Sequence, residues 1–203
     1  MRIAIAILGA YLLGSIPTGW IVSKLKFGRD VREGGSGATG ATNVARQFGL
    51  GWAIFVTIID IAKGISAVLL TKALFPEIEW LYGVAGIAAI IGHCYPVWIG
   101  FRGGKGVNTA LGIAVVISPV AIVFGLAAFG AAFAISRFVS VGSISAVLVY
   151  SLSILLFGSK FGAVGQGQLI FAGILPILII WTHRANIRRL IRGEEFKPVS
   201  DRK

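Results

Sequence analysis

The chain has 203 residues, 56% of them hydrophobic and only 13% charged, with a mean hydropathy of +0.88, which excludes an ordinary soluble domain and makes an all-α polytopic membrane protein the default. The net charge of +11 would suggest nucleic acid in a soluble protein. Here the basic residues stand in short loops beside apolar runs, so no nucleic-acid partner is expected, and the charge reads as a topology signal that also favours anionic lipid headgroups or phosphorylated substrates.

The first apolar run, residues 3–23, is preceded by Arg2 alone and followed by no small-residue cleavage site, so a retained helix rather than a signal peptide is expected. Further runs cover 48–74, 80–99, 108–136, 138–157 and 163–182. At about 1.5 Å per residue the run 108–136 would be about 43 Å long, more than one crossing needs and less than two full ones. Charge resolves this. A single crossing would place the tail residues Arg184, Arg188, Arg189, Arg192, Lys197, Arg202 and Lys203 opposite the basic loop from Lys24 to Arg46, against the positive-inside tendency. A break near Ser118-Pro119 instead puts all nineteen Lys and Arg on one side except Arg2, Lys72, Lys160 and the intramembrane Lys63, with the acidic turn at Glu77 and Glu79 opposite. The sequence thus predicts one membrane domain over 1–203 with about seven transmembrane helices, two of them short, N-terminus out and C-terminus in. Short helices are tolerated at membrane depth only where they are buried or line a wet cavity, so the 108–136 pair is expected to be central.

The polar segments carry the chemistry. Residues 33–46 contain a literal G-x-G-x-x-G at Gly35, Gly37 and Gly40, but a dinucleotide fingerprint needs a preceding strand, and this loop joins membrane helices. Its small residues are expected to expose backbone N–H groups around an anion, with Ser36, Thr39 and Thr42 adding hydroxyls and Arg46 a bidentate fork. A second glycine-rich piece, Gly103-Gly104-Lys105-Gly106, resembles a phosphate loop but lacks the Ser or Thr after Lys that would hold magnesium. Lys105 reads as a point charge for a phosphate. His93 is an intramembrane histidine, as apt to be structural as to take part. A third piece, Ser136 to Ile144, adds Arg137 and hydroxyls including Ser143, and His183 stands at the edge of the last run. Asp60 and Lys63 share a helical face and read as a neutralising pair inside the membrane. Cys94 is the single cysteine, so there is no internal disulfide framework.

These residues, taken together, resemble the bacterial acyl-phosphate:glycerol-3-phosphate acyltransferases (PlsY type). The likeness runs from Tyr11-Leu12-Leu13-Gly14-Ser15-Ile16-Pro17-Thr18-Gly19 through Gly35-Ser36-Gly37, Gly40-Ala41-Thr42-Asn43 and Arg46. It continues with Asp60 and Lys63-Gly64, Gly92-His93 and Gly103-Gly104-Lys105-Gly106, Arg137-Phe138-Val139-Ser140, and His183-Arg184, Asn186, Gly193 and Glu195. One departure is Ala38, where the family commonly has Asn.

The resemblance implies acyl transfer from acyl phosphate to the 1-hydroxyl of glycerol 3-phosphate, giving lysophosphatidate and phosphate in the bacterial inner membrane, with the active site facing the cytoplasm, membrane lipid around it and no cofactor or metal. It implies Ser36, Arg46, Lys105, His183 and Asn186 as catalytic residues. Gly35, Gly37, Thr39, Thr42, Asn43, Gly103, Gly104, Gly106 and Ser143 would bind substrate, and Glu195 would be structural. No Ser-His-Asp set is evident in the sequence, and a mixed anhydride, with phosphate as a good leaving group, needs mainly placement and charge stabilisation. A transporter of an organic phosphate is the competing reading. It would call for internal symmetry and donors on both faces, and the sequence shows neither.

Overall fold

The computed structural model describes residues 1–161 and 164–197, so Arg202 and Lys203 of the basic tail lie outside the described residues. Among the described residues every regular element is helical. The first apolar run becomes α1 (Arg2–Gly14) and α2 (Thr18–Phe27). Pro17, which has no N–H to donate, interrupts them without ending the span, and Arg2–Phe27 remains a 26-residue apolar stretch. A polar loop with one 3-10 turn at Val31–Glu33 leads into the short α3 (Ala41–Phe48). The long α4 (Leu50–Leu74) and α5 (Glu79–Cys94) follow.

The break predicted at Ser118-Pro119 is present. The Ser118 N–H closes the last turn of α6 (Val107–Ile117) on the Ala114 carbonyl, and Pro119 takes the first position of α7 (Pro119–Ser136), where a missing N–H costs nothing. Then come α8 (Val139–Phe157), α9 (Gln166–Thr182) and α10 (Arg184–Ile191), the last two bent by 57° at His183. Five stretches are long and apolar enough to cross a membrane, or six if α9 and α10 count as one bent span. The eleven-residue α6 reaches about 16 Å, roughly half of a hydrocarbon core.

At the centre stands α5, packed against α1, α4, α6 and α9, with 67% of its apolar window buried against 11% for α7. The expectation that the 108–136 pair is central therefore holds for α6 alone. Helix α7 packs mainly on α8 and turns Val120, Val123, Phe124, Leu126 and Ile135 outward, where lipid suits them as well as protein would. Small residues set the close crossings. A Cβ on Gly64 would meet the Thr109 carbonyl, and one on Gly112 the Ile61 carbonyl, so α4 and α6 touch backbone to backbone.

Candidate active site

The 33–46 loop is folded by Asn43. Its amide nitrogen lies 2.9 Å from the Val31 carbonyl, 3.1 Å from that of Gly34 and 2.9 Å from that of Ala38, while its oxygen accepts the Ser36 N–H at 2.9 Å. Asn43, expected to bind substrate, is thus engaged in holding the loop. Gly35, at φ +58°, is where a Cβ would strike the Asn43 amide oxygen. The Gly37 N–H donates to the Gly34 carbonyl at 3.2 Å, and the Thr39 N–H donates to the Gly103 carbonyl at 3.3 Å, tying the two glycine-rich loops together. Thr39 is itself buried.

The second loop also differs from its expected form. The N–H groups of Gly103 and Gly104 do not surround an anion, because they donate to the carbonyls of Cys94 at 3.0 Å and His93 at 3.1 Å. Those glycines are there for close approach, since a Cβ on Gly103 would meet the His93 carbonyl and one on Gly104 the His93 ring. The fold-back leaves Lys105 facing inward.

Between the loops lies a polar cavity of about 260 Å³, whose wall includes Ser36, Thr42, Asn43, Arg46, Lys105, Gly106, Ser143, His183 and Asn186. Four of the polar segments read from sequence therefore converge. Gly37, Gly103 and Gly104 line a separate outer hollow. The first turn of α3, at Gly40, Ala41 and Thr42, also lines the cavity, where leading helix N–H groups suit an anion. Lys105 is half-buried. Burial pushes its pKa down to about 8, with Arg189 and Arg46 pushing the same way and Glu195 opposing.

Histidine 183 is buried, with Nδ1 2.8 Å from the Ile179 carbonyl. A nitrogen at that distance from a carbonyl must carry the proton, which leaves Nε2 as the acceptor of the neutral ring. Asn186 donates from Nδ2 to Glu195 Oε1 at 2.6 Å, while its buried Oδ1 has no hydrogen-bond partner among the described residues. Glu195 is also buried. It further accepts from Arg189 Nε at 2.9 Å and Ser140 Oγ at 3.3 Å, which makes it a structural hub.

Two features are not evident from the sequence. Asp60, expected only to neutralise Lys63, and His93, expected to be structural or to take part, both line the polar cavity. The Asp60 carboxylate accepts from Lys63 Nζ at 2.8 Å and Thr18 Oγ1 at 3.2 Å, with His93 Nδ1 at 3.6 Å. Lys63 also donates to the Ile16 carbonyl beside the break at Pro17, at 3.0 Å. An intramembrane acid is by default a functional signal as well as a partner for a nearby cation. The second feature is an apolar cavity of about 200 Å³ between α6, α7 and α8, which shares Val107, Asn108 and Phe129 with the polar one.

Residues 4–193 match the glycerol-3-phosphate acyltransferase family. The chain is 44% identical over 196 residues to the glycerol-3-phosphate acyltransferase of an Anaeromyxobacter species, covering 94% of each chain. It is 42% identical over 193 residues to that of Halalkalibacterium halodurans, covering 94% of this chain and 93% of the relative. The chain belongs to the glycerol-3-phosphate acyltransferase family. Its fold agrees with the crystal structure of PlsY (YgiH), an integral membrane glycerol 3-phosphate acyltransferase, in the glycerol 3-phosphate form, with a TM-score of 0.88 and 38% identity over 97% of this chain and 96% of that one. The lysophosphatidic acid form of PlsY gives a TM-score of 0.84 at 36% identity, over 97% and 95%. In this glycerol-3-phosphate acyltransferase family member a polar and an apolar cavity thus abut at Val107, Asn108 and Phe129.

Proposed function

We propose that the protein transfers an acyl chain from acyl phosphate to the 1-hydroxyl of glycerol 3-phosphate. The observation that carries this reading is the junction of the two cavities at Asn108 and Phe129. A donor with an apolar chain and an anionic head fits only a site with both surfaces, and its anhydride then lies where they meet. Arg46 and the first turn of α3 hold the donor's phosphoryl group, Ser36 donates beside it, and Lys105 holds the phosphate of the acceptor. The buried Asn186 oxygen suits a glycerol hydroxyl, and His183 Nε2 is a second acceptor. The 1-hydroxyl oxygen bonds to the acyl carbon, the bond from that carbon to the phosphate oxygen breaks, and the hydroxyl proton leaves on the departing phosphate. The test is purified protein with acyl phosphate and labelled glycerol 3-phosphate, without added metal. Lysophosphatidate and phosphate should appear in equal amounts, and comparable turnover with an acyl thioester would overturn the donor assignment.

The membrane arrangement we infer has seven spans, counting α6 as a short one, with the N-terminus out and the polar cavity on the cytoplasmic side of a bacterial inner membrane. Its support is the charge distribution. A cysteine placed at position 137 should be labelled only from the cytoplasmic side and one at position 77 only from the opposite side. Labelling of both from one side would remove the seven-span arrangement.

Lys105 acts as charge rather than as a base. Replacing it with Met is expected to raise the KM for glycerol 3-phosphate roughly tenfold to a hundredfold, the worth of a charge-assisted hydrogen bond of about 1.5 to 3 kcal/mol, with the KM for acyl phosphate nearly unchanged. Because the free site holds the Lys105 pKa at about 8, the cation that binds phosphate is present below that pH and is lost above it. The affinity for glycerol 3-phosphate should therefore fall as pH rises through about 8, and that limb should vanish in Lys105→Met. A higher KM for the donor alone would exchange the substrates of the two loops.

A further inference from the structure

The chain does not simply leave the site after α10. Gly193 adopts φ +71°, its N–H donates to the Leu190 carbonyl at 3.1 Å, and the Glu194 N–H donates to the Arg189 carbonyl at 2.8 Å. That pair of bonds is a Schellman closure, which reverses the chain at a helix end and needs a residue tolerant of positive φ. The reversal carries Glu195 into its buried position and sets Phe196 beside the polar cavity. There the Phe196 ring carries two guanidinium groups, those of Arg46 and Arg189, each 5.0 Å from its centroid. Arg189 is anchored in turn by the Glu195 carboxylate at 2.9 Å.

We propose that Phe196 is a positioning residue for the reaction, the platform that holds the Arg46 guanidinium in the phosphate-binding cavity. The proposal rests on the reading above, in which Arg46 binds the donor's phosphoryl group. An arginine side chain has many rotamers, and ordering it only when substrate arrives weakens binding. An aromatic face orients a guanidinium through its quadrupole without occupying the in-plane N–H groups with which a guanidinium binds an anion. Arg189 beside the same ring does not compete for that anion, because Glu195 neutralises it. Order therefore passes from the buried Glu195 through Arg189 and Phe196 to Arg46, and the tail becomes part of the site although it follows the last helix.

The test is steady-state kinetics of the full chain in detergent. Phe196→Leu keeps apolar bulk and removes the quadrupole. It should raise the KM for acyl phosphate roughly fivefold to thirtyfold, the worth of a partly buried cation–π contact, with kcat and the KM for glycerol 3-phosphate little changed. Phe196→Tyr should behave as the native protein. In an Arg46→Lys background, Phe196→Leu should add little, because the two residues act through one contact. Equal kinetics for Phe196→Leu and the native protein, or a full-sized effect of Phe196→Leu in the Arg46→Lys background, would overturn the proposal. Failure of the underlying reading shows differently, as an Arg46→Lys protein with native KM values, and would overturn the proposal with it. Phe196→Met provides a second apolar replacement should the leucine variant not purify folded.

Discussion

Replacing Asp60 with Ala is expected to destabilise the protein by about 3 to 5 kcal/mol, the usual cost of leaving one charge of a buried pair without its partner. The magnitude follows from the surroundings. Asp60 is 1% exposed and Lys63 4%, so the ammonium left behind in Asp60→Ala sits inside an apolar span, donating to the Ile16 carbonyl at 3.0 Å but facing no carboxylate among the described residues. The lost carboxylate also releases Thr18 from α2 and faces His93 from α5. One acid therefore joins the broken first span to α4 and α5, at the floor of the polar cavity. Removing both charges in Asp60→Leu with Lys63→Leu should recover much of the loss, because it is the isolated charge that is costly. Thermal unfolding in a fixed detergent measures this, and a melting temperature for Asp60→Ala equal to that of the native protein would show that the pair does not hold these helices.

Gly112→Leu is expected to be worse still, beyond about 4 to 5 kcal/mol and so at the far end of what single substitutions do. A Cβ at that position would fall on the Ile61 carbonyl, and the reciprocal contact of Gly64 with the Thr109 carbonyl lies on the same crossing. No flexible side-chain end is available to move aside, so α4 and α6 must separate. Because α6 carries Asn108 and follows directly on Lys105 and Gly106, separation would open the cavity along with the core. Gly130 on α7 is the control, since a Cβ there meets nothing within 4 Å. Gly130→Ala should be neutral or stabilising by up to about 1 kcal/mol through helix propensity. Folded yield and melting temperature of the two variants decide the matter, and a well-folded Gly112→Leu would mean that α6 can slide without cost.

Much of this protein is determined by its sequence alone. Long apolar runs and the scarcity of charge leave a helical membrane protein as the only economical reading, because backbone groups in hydrocarbon must be bonded within the segment. The break before α7 was legible because only a split near Ser118-Pro119 puts the basic loops and the basic tail on one side. Ser36, Arg46 and Lys105 were legible as residue types suited to phosphate, and His183 and Asn186 only through the resemblance of their motif to that of one family. Tertiary structure decided what became of them. The N–H groups of Gly37, Gly103 and Gly104, expected to surround an anion, are engaged with carbonyls, since a loop folded on itself or onto a helix end must satisfy its own donors first. Asn43 holds its loop together, and Phe196 reaches the site only because the chain turns back at Gly193. The outward position of α7 and the apolar cavity beside it were invisible to hydropathy, since lipid and protein interior are equally apolar and the same side chains serve against either. Which apolar faces meet one another depends on where backbones can approach, as at Gly64 and Gly112, and that is a property of the packed pair of helices rather than of either segment.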